Sequence, residues 1–404
     1  MKIDRIETIR HEEFPNLLYV RVHTDEGAVG TGETFYGAEV VEAQVHSVAA
    51  PLLLGEDPLR IEAHNATLEG YVGYVGSGAE TRARSAIDIA LWDLRAQLAQ
   101  LPLYDTMGGR TRESIRTYNT CAGSYYVRRN GQSTRNWGLD TPAAQYEDLQ
   151  RFLTDAGDLA LELLGEGLTG MKIWPFDSYA ESSNGTDISS AQLRTGLGTL
   201  EQIRAAVGDQ MDVMVELHSL WNVPMARKII AALGEYRPYW IEDPVRSDIH
   251  GGLHAVAGGI SAAGTMLAAG ETAAQPSTFI PLTAGGPVDV VTVDLTWCGG
   301  ITSAMKITSL AAASGKAIAP HDCTGPISLT AATHLSVSAP NALAQESVRA
   351  SLRGWYRDIV TELPAVTEGS IAPPPGVGLG TALQPDFVRS AGAVVRMSSA
   401  GTMA

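Results

Sequence analysis

The chain has 404 residues, enough for more than one domain and a large core, and 45 Asp+Glu stand against 29 Lys+Arg. A net charge of −16 excludes nucleic acid and anionic membrane surfaces as natural partners. It also disfavours an anionic small substrate, unless a bound cation inverts the local field.

The first stretch, "MKIDRIETIR", lacks the apolar core of a signal peptide. "LLYVRVHTDEGAVGTGETF" alternates as two strands joined by a turn at Asp25–Gly27. In "AETRARSAIDIALWDLRAQLAQ", Ile87, Ala90, Leu91, Leu94 and Leu98 recur at helical spacing. Asp88 and Asp93 lie within that helix and are expected to bind across a domain junction. "MGGR" breaks the pattern, and Arg110 there is expected to be structural.

From Ser114 the texture changes. Short apolar runs alternate with helical segments, which predicts a parallel (β/α) barrel. The runs are "IRTYNT", "LTGMKIWPF", "DVMVELHS", "PYWIEDPV", "TMLAAGE", "VVTVDLTW", "AIAPHDC" and "ALAQESV". A polar insertion after the second run, "DSYAESSNGTDISS", reads as a loop or flap. Gly299 and Gly300 after the sixth read as a tight strand-to-helix turn. The stretch "GGISAAGTMLAAG" is too short and glycine-broken to span a membrane. The tail, "GSIAPPPGVGLGTALQPDF", reads as irregular chain returning to the first domain. The predicted domains are 1–113, 114–354 and a tail, 355–404. Cys121, Cys298 and Cys323 form no disulfide or zinc spacing, so a soluble, cytoplasmic protein is expected.

A barrel keeps its active site at the C-terminal ends of its strands, and these runs end in chemistry. The second carries Lys172. The third ends in Glu216 and His218, two apart and so expected on one face. The fourth ends in Glu242 and Asp243, the fifth in Glu271. The sixth carries Asp294, the seventh His321 and the eighth Glu346. Neighbouring strands lie about 5 Å apart, so three carboxylates on successive strands crowd together at a cost. A hard divalent cation removes the conflict, which makes Glu216, Glu242 and Glu271 the candidate Mg²⁺ ligands. His321 and Asp294, on adjacent strands, are expected to pair as a base and its orienting acid. His218 faces the same mouth, and Lys172 is placed to contact a substrate carboxylate. Cys323, beside His321, shows no sign of activation.

With these pieces in hand, the chain resembles the enolase superfamily, in the mandelate racemase-like branch that includes the sugar-acid dehydratases. The resemblance rests on "SAIDIALWDLRAQ", "GLTGMKIWPF", "VELH", "WIEDP", "AAGET", "DLTWCGGIT", "APHDCTGP", "QES" and "PPPGVGLG", in this order and over nearly the whole chain. It implies an α/β fold: a modified (β/α)₇β barrel under an α+β capping domain built from the N-terminal part and completed by the tail. It implies Mg²⁺ on Glu216, Glu242 and Glu271, a His321–Asp294 dyad, and Glu346 hydrogen-bonded to substrate. An even-numbered homo-oligomer is also implied.

One position departs from the lysine-base members of that family. Their second strand carries Lys-x-Lys, whereas here "KIW" puts Trp174 at the second position. The "ELH" stretch instead resembles galactonate-, gluconate- and mannonate-type dehydratases, which use two histidines. The expected activity is therefore dehydration of an aldonic, or second an aldaric, acid, with His218 and His321 as the acid/base pair. Asn119, Trp174, Trp221 and Trp355 are candidates for the sugar hydroxyls, and loops at His11–Asn16 and Tyr36 for specificity. Alternatives are a racemase, epimerase or cycloisomerase using the same proton abstraction, or a silent sugar-acid-binding homologue.

Overall fold

The computed structural model describes residues 1–70, 76, 78–126, 128 and 146–400. Three antiparallel strands open the chain: β1 (Ile3–His11), β2 (Phe14–Thr24) and β3 (Val29–Phe35). The β2–β3 turn falls where Asp25–Gly27 is expected, with Gly27 at φ 88° donating to the Thr24 carbonyl. Strand β1 is an element that the polar start of the sequence does not betray. The helix Ala79–Leu98 packs across this sheet. Contact is close because β3 offers glycine: a Cβ on Gly32 would lie 1.9 Å from the Ala86 carbonyl oxygen. The small core formed here includes Ile3, Ile6, Leu18, Val20, Ile87 and Ala90.

Eight parallel strands then form the barrel. They are β4 (Ile115–Thr120), β5 (Gly170–Ile173), β6 (Asp212–Glu216), β7 (Trp240–Glu242), β8 (Met266–Ala269), β9 (Val290–Val291), β10 (Ala317–Ile318) and β11 (Gln345–Ser347). β11 returns to pair with β4, and a parallel bridge from Ile318 to Ala342 completes the ring. Each of the eight apolar runs supplies one strand. The helices between them, such as Ser190–Val207 and Gly300–Ala313, cover the outside.

The tail divides. A hairpin of β12 (Ala365–Thr367) and β13 (Ser370–Ala372) pairs antiparallel with β4 and so extends the barrel wall. Only the last strand, β14 (Ala393–Ser399), joins the first sheet, alongside β1. The segment "DSYAESS" is a helix, Asp177–Ser183, rather than a loop. Among the described residues, no helix is long and apolar enough to cross a membrane.

Carboxylates hold the cap to the barrel. Asp88 accepts from the Thr302 amide at 2.9 Å, the Thr302 hydroxyl at 2.5 Å and Asn65 Nδ2 at 3.0 Å. It thereby supplies the start of the helix Gly300–Ala313 with a negative charge. Gly300, at φ 85°, must be glycine, since a Cβ there would meet Asp88 Oδ1 at 2.3 Å. Glu33, fully buried on β3, accepts from the amides of Ile327 and Ser328 at the start of the helix Pro326–Ser338. Asp93 takes the amides of Thr31 and Leu379, each at 2.9 Å, tying the tail to the cap. Asp88→Ala is expected to cost about 1–3 kcal/mol, because it strands buried donors. A lower urea midpoint at unchanged m-value would register it.

Candidate active site

The barrel interior shows how the site is assembled. Tyr118, Met214, Trp240, Ala268 and Val290 on β4, β6, β7, β8 and β9, with Ala319 just after β10 and Ala344 just before β11, pack together as a plug. Side chains two residues further along a strand face the same way. That step leads from Tyr118 to Thr120, from Met214 to Glu216, from Trp240 to Glu242, from Ala319 to His321 and from Ala344 to Glu346. The plug closes the barrel floor, and the polar layer lies directly above it.

Glu216 and Glu242 stand opposite each other in register on β6 and β7. Glu271 follows the Gly270 turn after β8. Carboxylate oxygens of the three lie within 4.8 Å of one another, and all three residues are buried. Glu216 Oε2 and Glu242 Oε1 are buried without a hydrogen-bond partner. Burial drives both acids toward protonation, with Lys172 acting against it; Glu242 is raised to about 7. Beside them burial and the charges of Glu271 and Glu216 hold Asp243 well above the usual carboxylate range. Converging hard oxygens, two without a hydrogen bond and Glu242 Oε1 without an ion pair as well, fit a divalent cation such as Mg²⁺.

Lys172 enters this layer from β5. Its Nζ lies 2.8 Å from Glu346, 3.2 Å from Glu242 and 3.5 Å from Glu216. Glu346 is the best satisfied of these acids. Thr120 donates to Oε1 through a short bond, and the Asp322 amide donates to Oε2 at 2.8 Å. Burial opposes ionisation, but Lys172, His321 and Thr120 hold Glu346 at about 2. An ionised Glu346 accepts hydrogen bonds and cannot donate one.

Two imidazoles flank the acids. His321 Nδ1 lies 2.8 Å from Asp294 Oδ2. Asp294 is itself locked, since its Oδ1 accepts from the Thr296 amide at 2.7 Å and the Thr296 hydroxyl at 2.6 Å. His321 Nε2 faces Glu271 at 3.3 Å and Cys323 Sγ at 3.4 Å. His218 is held otherwise than alternation along a strand implies. β6 ends at Glu216, and His218 and Ser219 adopt left-handed φ of 46° and 58°. The turn brings the His218 amide onto Glu216 Oε1 at 2.7 Å, so the pair stay together although the strand has stopped. His218 Nδ1 then meets Asp177 Oδ2 at 2.5 Å. Burial opposes its charge, yet Asp177 and Glu216 push His218 up to about 10. Non-glycine residues in left-handed backbone cost energy and gather where function needs them. His218, Ser219 and Asp243 are such a group, at the ends of neighbouring strands.

Glu216, Glu242, Glu271, Lys172, His218, His321, Asp294 and Glu346 are thus brought to one mouth. Trp174 joins them, its ring edge-on to His218 with centroids 5.6 Å apart. Asn119 does not. It points outward from β4, donating to Asp148 at 2.9 Å and accepting from the Arg349 amide at 2.9 Å. Its neighbours Tyr118 and Thr120 are the inward residues. Trp355 stacks on Phe14 at 4.6 Å, in the seam between cap and barrel. Trp221 is buried beside the Gly185 turn. His11 stacks on Phe387 at 4.9 Å, within the cap. Tyr36 stacks on Trp297, whose ring in turn tilts over His321 at 5.3 Å. The partner that sequence reasoning missed is Asp177, an acid just past β5 in the stretch "WPFD".

Residues 8–108 match the mandelate racemase / muconate lactonizing enzyme N-terminal domain, and residues 155–387 match the enolase C-terminal domain-like family. The chain is 29% identical over 406 residues to a D-galactonate dehydratase of Xanthomonas oryzae pv. oryzae (strain PXO99A), covering 97% of this chain and 94% of the relative. It is 33% identical over 355 residues to a D-galactonate dehydratase of Ralstonia nicotianae (strain ATCC BAA-1114 / GMI1000), covering 86% and 81%. Among solved structures, an enolase of the mandelate racemase subgroup from Agrobacterium tumefaciens superposes with a TM-score of 0.87 at 44% identity over 100% of both chains.

Proposed function

Because the chain belongs to the mandelate racemase / muconate lactonizing enzyme family of the enolase superfamily, we propose that it is a Mg²⁺-dependent lyase that dehydrates an acid sugar, an aldonic acid first and an aldaric acid second. The observation that carries this is the pair of imidazoles, each on a buried aspartate, flanking one cluster of three carboxylates. The dehydratase relatives support the reaction class.

Glu216, Glu242 and Glu271 would hold the ion. When bound, it supplies Lewis-acid stabilisation of the charge that builds on a substrate carboxylate as the neighbouring C–H proton leaves. Lys172 adds a fixed positive charge beside that carboxylate. Ionised Glu346 orients Lys172 and meets the substrate through it. One imidazole takes the C2 proton. The electron pair left behind forms the C2–C3 double bond as the C3–O bond breaks. The second imidazole donates a proton to the departing hydroxide, which leaves as water. The enol then tautomerises to a 2-keto-3-deoxy acid. We assign hydroxide departure to His321 and proton removal to His218; a bound cation would offset the Glu216 charge that favours the protonated form of His218, leaving the imidazole able to accept the proton. The proposed partner is the sugar acid itself, in the cytoplasm, with the chain assembled as an even-numbered homo-oligomer.

The test is a panel of aldonic and aldaric acids with Mg²⁺, scored for 2-keto-3-deoxy product with and without chelator. A chelator-sensitive product is expected. Two opposed imidazoles also suit epimerisation, and exchange of the C2 hydrogen with solvent deuterium without loss of water would replace the dehydratase with that activity.

A further inference from the structure

We propose that Asp177 is a positioning residue for His218, making the site a matched pair of His–Asp units rather than one dyad and a lone histidine. His218 follows β6 and His321 follows β10, four strands apart in a ring of eight, so the two units face each other across the mouth. In each, an aspartate binds Nδ1: Asp177 at 2.5 Å and Asp294 at 2.8 Å. A carboxylate on Nδ1 keeps a proton there, which makes Nε2 the nitrogen that exchanges protons with substrate.

Asp177 is an expensive residue if its task is only structural. It is 1% exposed, and its Oδ1 has no hydrogen-bond partner. It is the first residue of the helix Asp177–Ser183, after an N-cap, Phe176, that offers no side-chain cap, and its own carboxylate is not used to satisfy the helix start. Its Oδ2 is spent on the imidazole instead. Burying a carboxylate with half its acceptors unmet costs stability, and so does the left-handed φ of 46° at His218. Both costs serve one ring, which Trp174 also clamps edge-on at 77°. Trp174 occupies the position where relatives with a lysine base carry their second lysine. A rigid aromatic wall and an orienting acid therefore stand where a second base would otherwise reach in.

The activity arm of the test rests on the dehydratase proposal; the spectroscopic arm does not. In the Mg²⁺-loaded full chain, a strongly deshielded Nδ1–H resonance is expected in the NMR spectrum, assigned by its loss in His218→Asn and absent in Asp177→Asn. If the wild-type protein shows no such resonance, the pairing is wrong, whatever the substrate. In turnover, Asp177→Asn is expected to lower kcat by about 10²–10⁴-fold, with KM and Mg²⁺ affinity within about threefold. An acid that acts only through His218 adds no loss once that ring is gone. Asp177→Asn/His218→Asn should therefore turn over at the rate of His218→Asn alone. A double variant slower by tenfold or more, or an Asp177→Asn with wild-type kcat, would overturn the assignment. If no acid sugar is turned over by the wild-type protein, the dehydratase proposal fails and the resonance alone decides the pairing.

Discussion

His321→Asn is expected to reduce turnover of the sugar acid by about 10²–10⁴-fold, the range for removing a positioned acid or base, while Mg²⁺ affinity stays within about threefold. Asparagine fills similar space and can still bond Asp294, but it cannot carry a proton to or from carbon or oxygen. Its scaffold stays in place, since Asp294 is fixed by the amide and hydroxyl of Thr296 independently of the ring. The three candidate ligands also remain, and His321 touches only one of them, Glu271, at 3.3 Å. Steady-state kinetics and calorimetric Mg²⁺ titration would separate the two effects. Turnover above one-tenth of wild type would remove His321 from the chemistry. Loss of metal binding together with activity would make it a support for the ligands instead.

Glu242→Gln should abolish turnover and the Mg²⁺-dependent rise in thermal stability together. A ligand at a hundred times its Kd stabilises a protein by about 2.7 kcal/mol, and that increment should vanish in the variant. In chelator the order should reverse. Glu216, Glu242, Glu271 and Glu346 crowd one buried layer around a single Lys172. Replacing one acid by a neutral isostere relieves repulsion and desolvation, and glutamine still accepts from Trp240 Nε1 as Glu242 does at 2.9 Å. The variant should therefore melt no lower than wild type in EDTA. Melting curves with and without Mg²⁺ would show both effects. A variant that binds Mg²⁺ with wild-type affinity would take Glu242 out of the ligand set.

The eight barrel strands were legible because each is a compact apolar run, and the acids were legible because the third, fourth, fifth, sixth and eighth runs each carry one at the end. The cap was only partly legible. Strand β1 alternates Ile3, Ile6 and Ile9 with charged residues, a spacing that fits neither period cleanly until β14 and β2 flank it. Asn119 illustrates a limit set by geometry. "IRTYNT" is polar and aromatic on both faces, and a shift of one residue exchanges inside for outside. Only the plug formed with Met214 and Trp240 identifies Tyr118 as inward and Asn119 as outward. Asp177 hid for another reason. It stands beyond its strand in a polar run that reads as loop, and its importance comes from a histidine 41 positions later. The left-handed turn at His218 is equally silent in sequence, since neither His218 nor Ser219 advertises positive φ.

The carboxylates that cross from cap to barrel have a consequence for modularity. Asp88 and Glu33 seat themselves at the starts of the helices that follow β9 and β10, the two units that carry Asp294 and His321. A barrel separated from its cap would leave the amides of Thr302, Ile327 and Ser328 without their carboxyl acceptors, and the catalytic wall would be the part that loosens first. Cap and barrel are therefore one cooperative unit. Specificity loops can be exchanged between relatives at the tips of the cap, but a transplanted cap must bring both carboxylates with it.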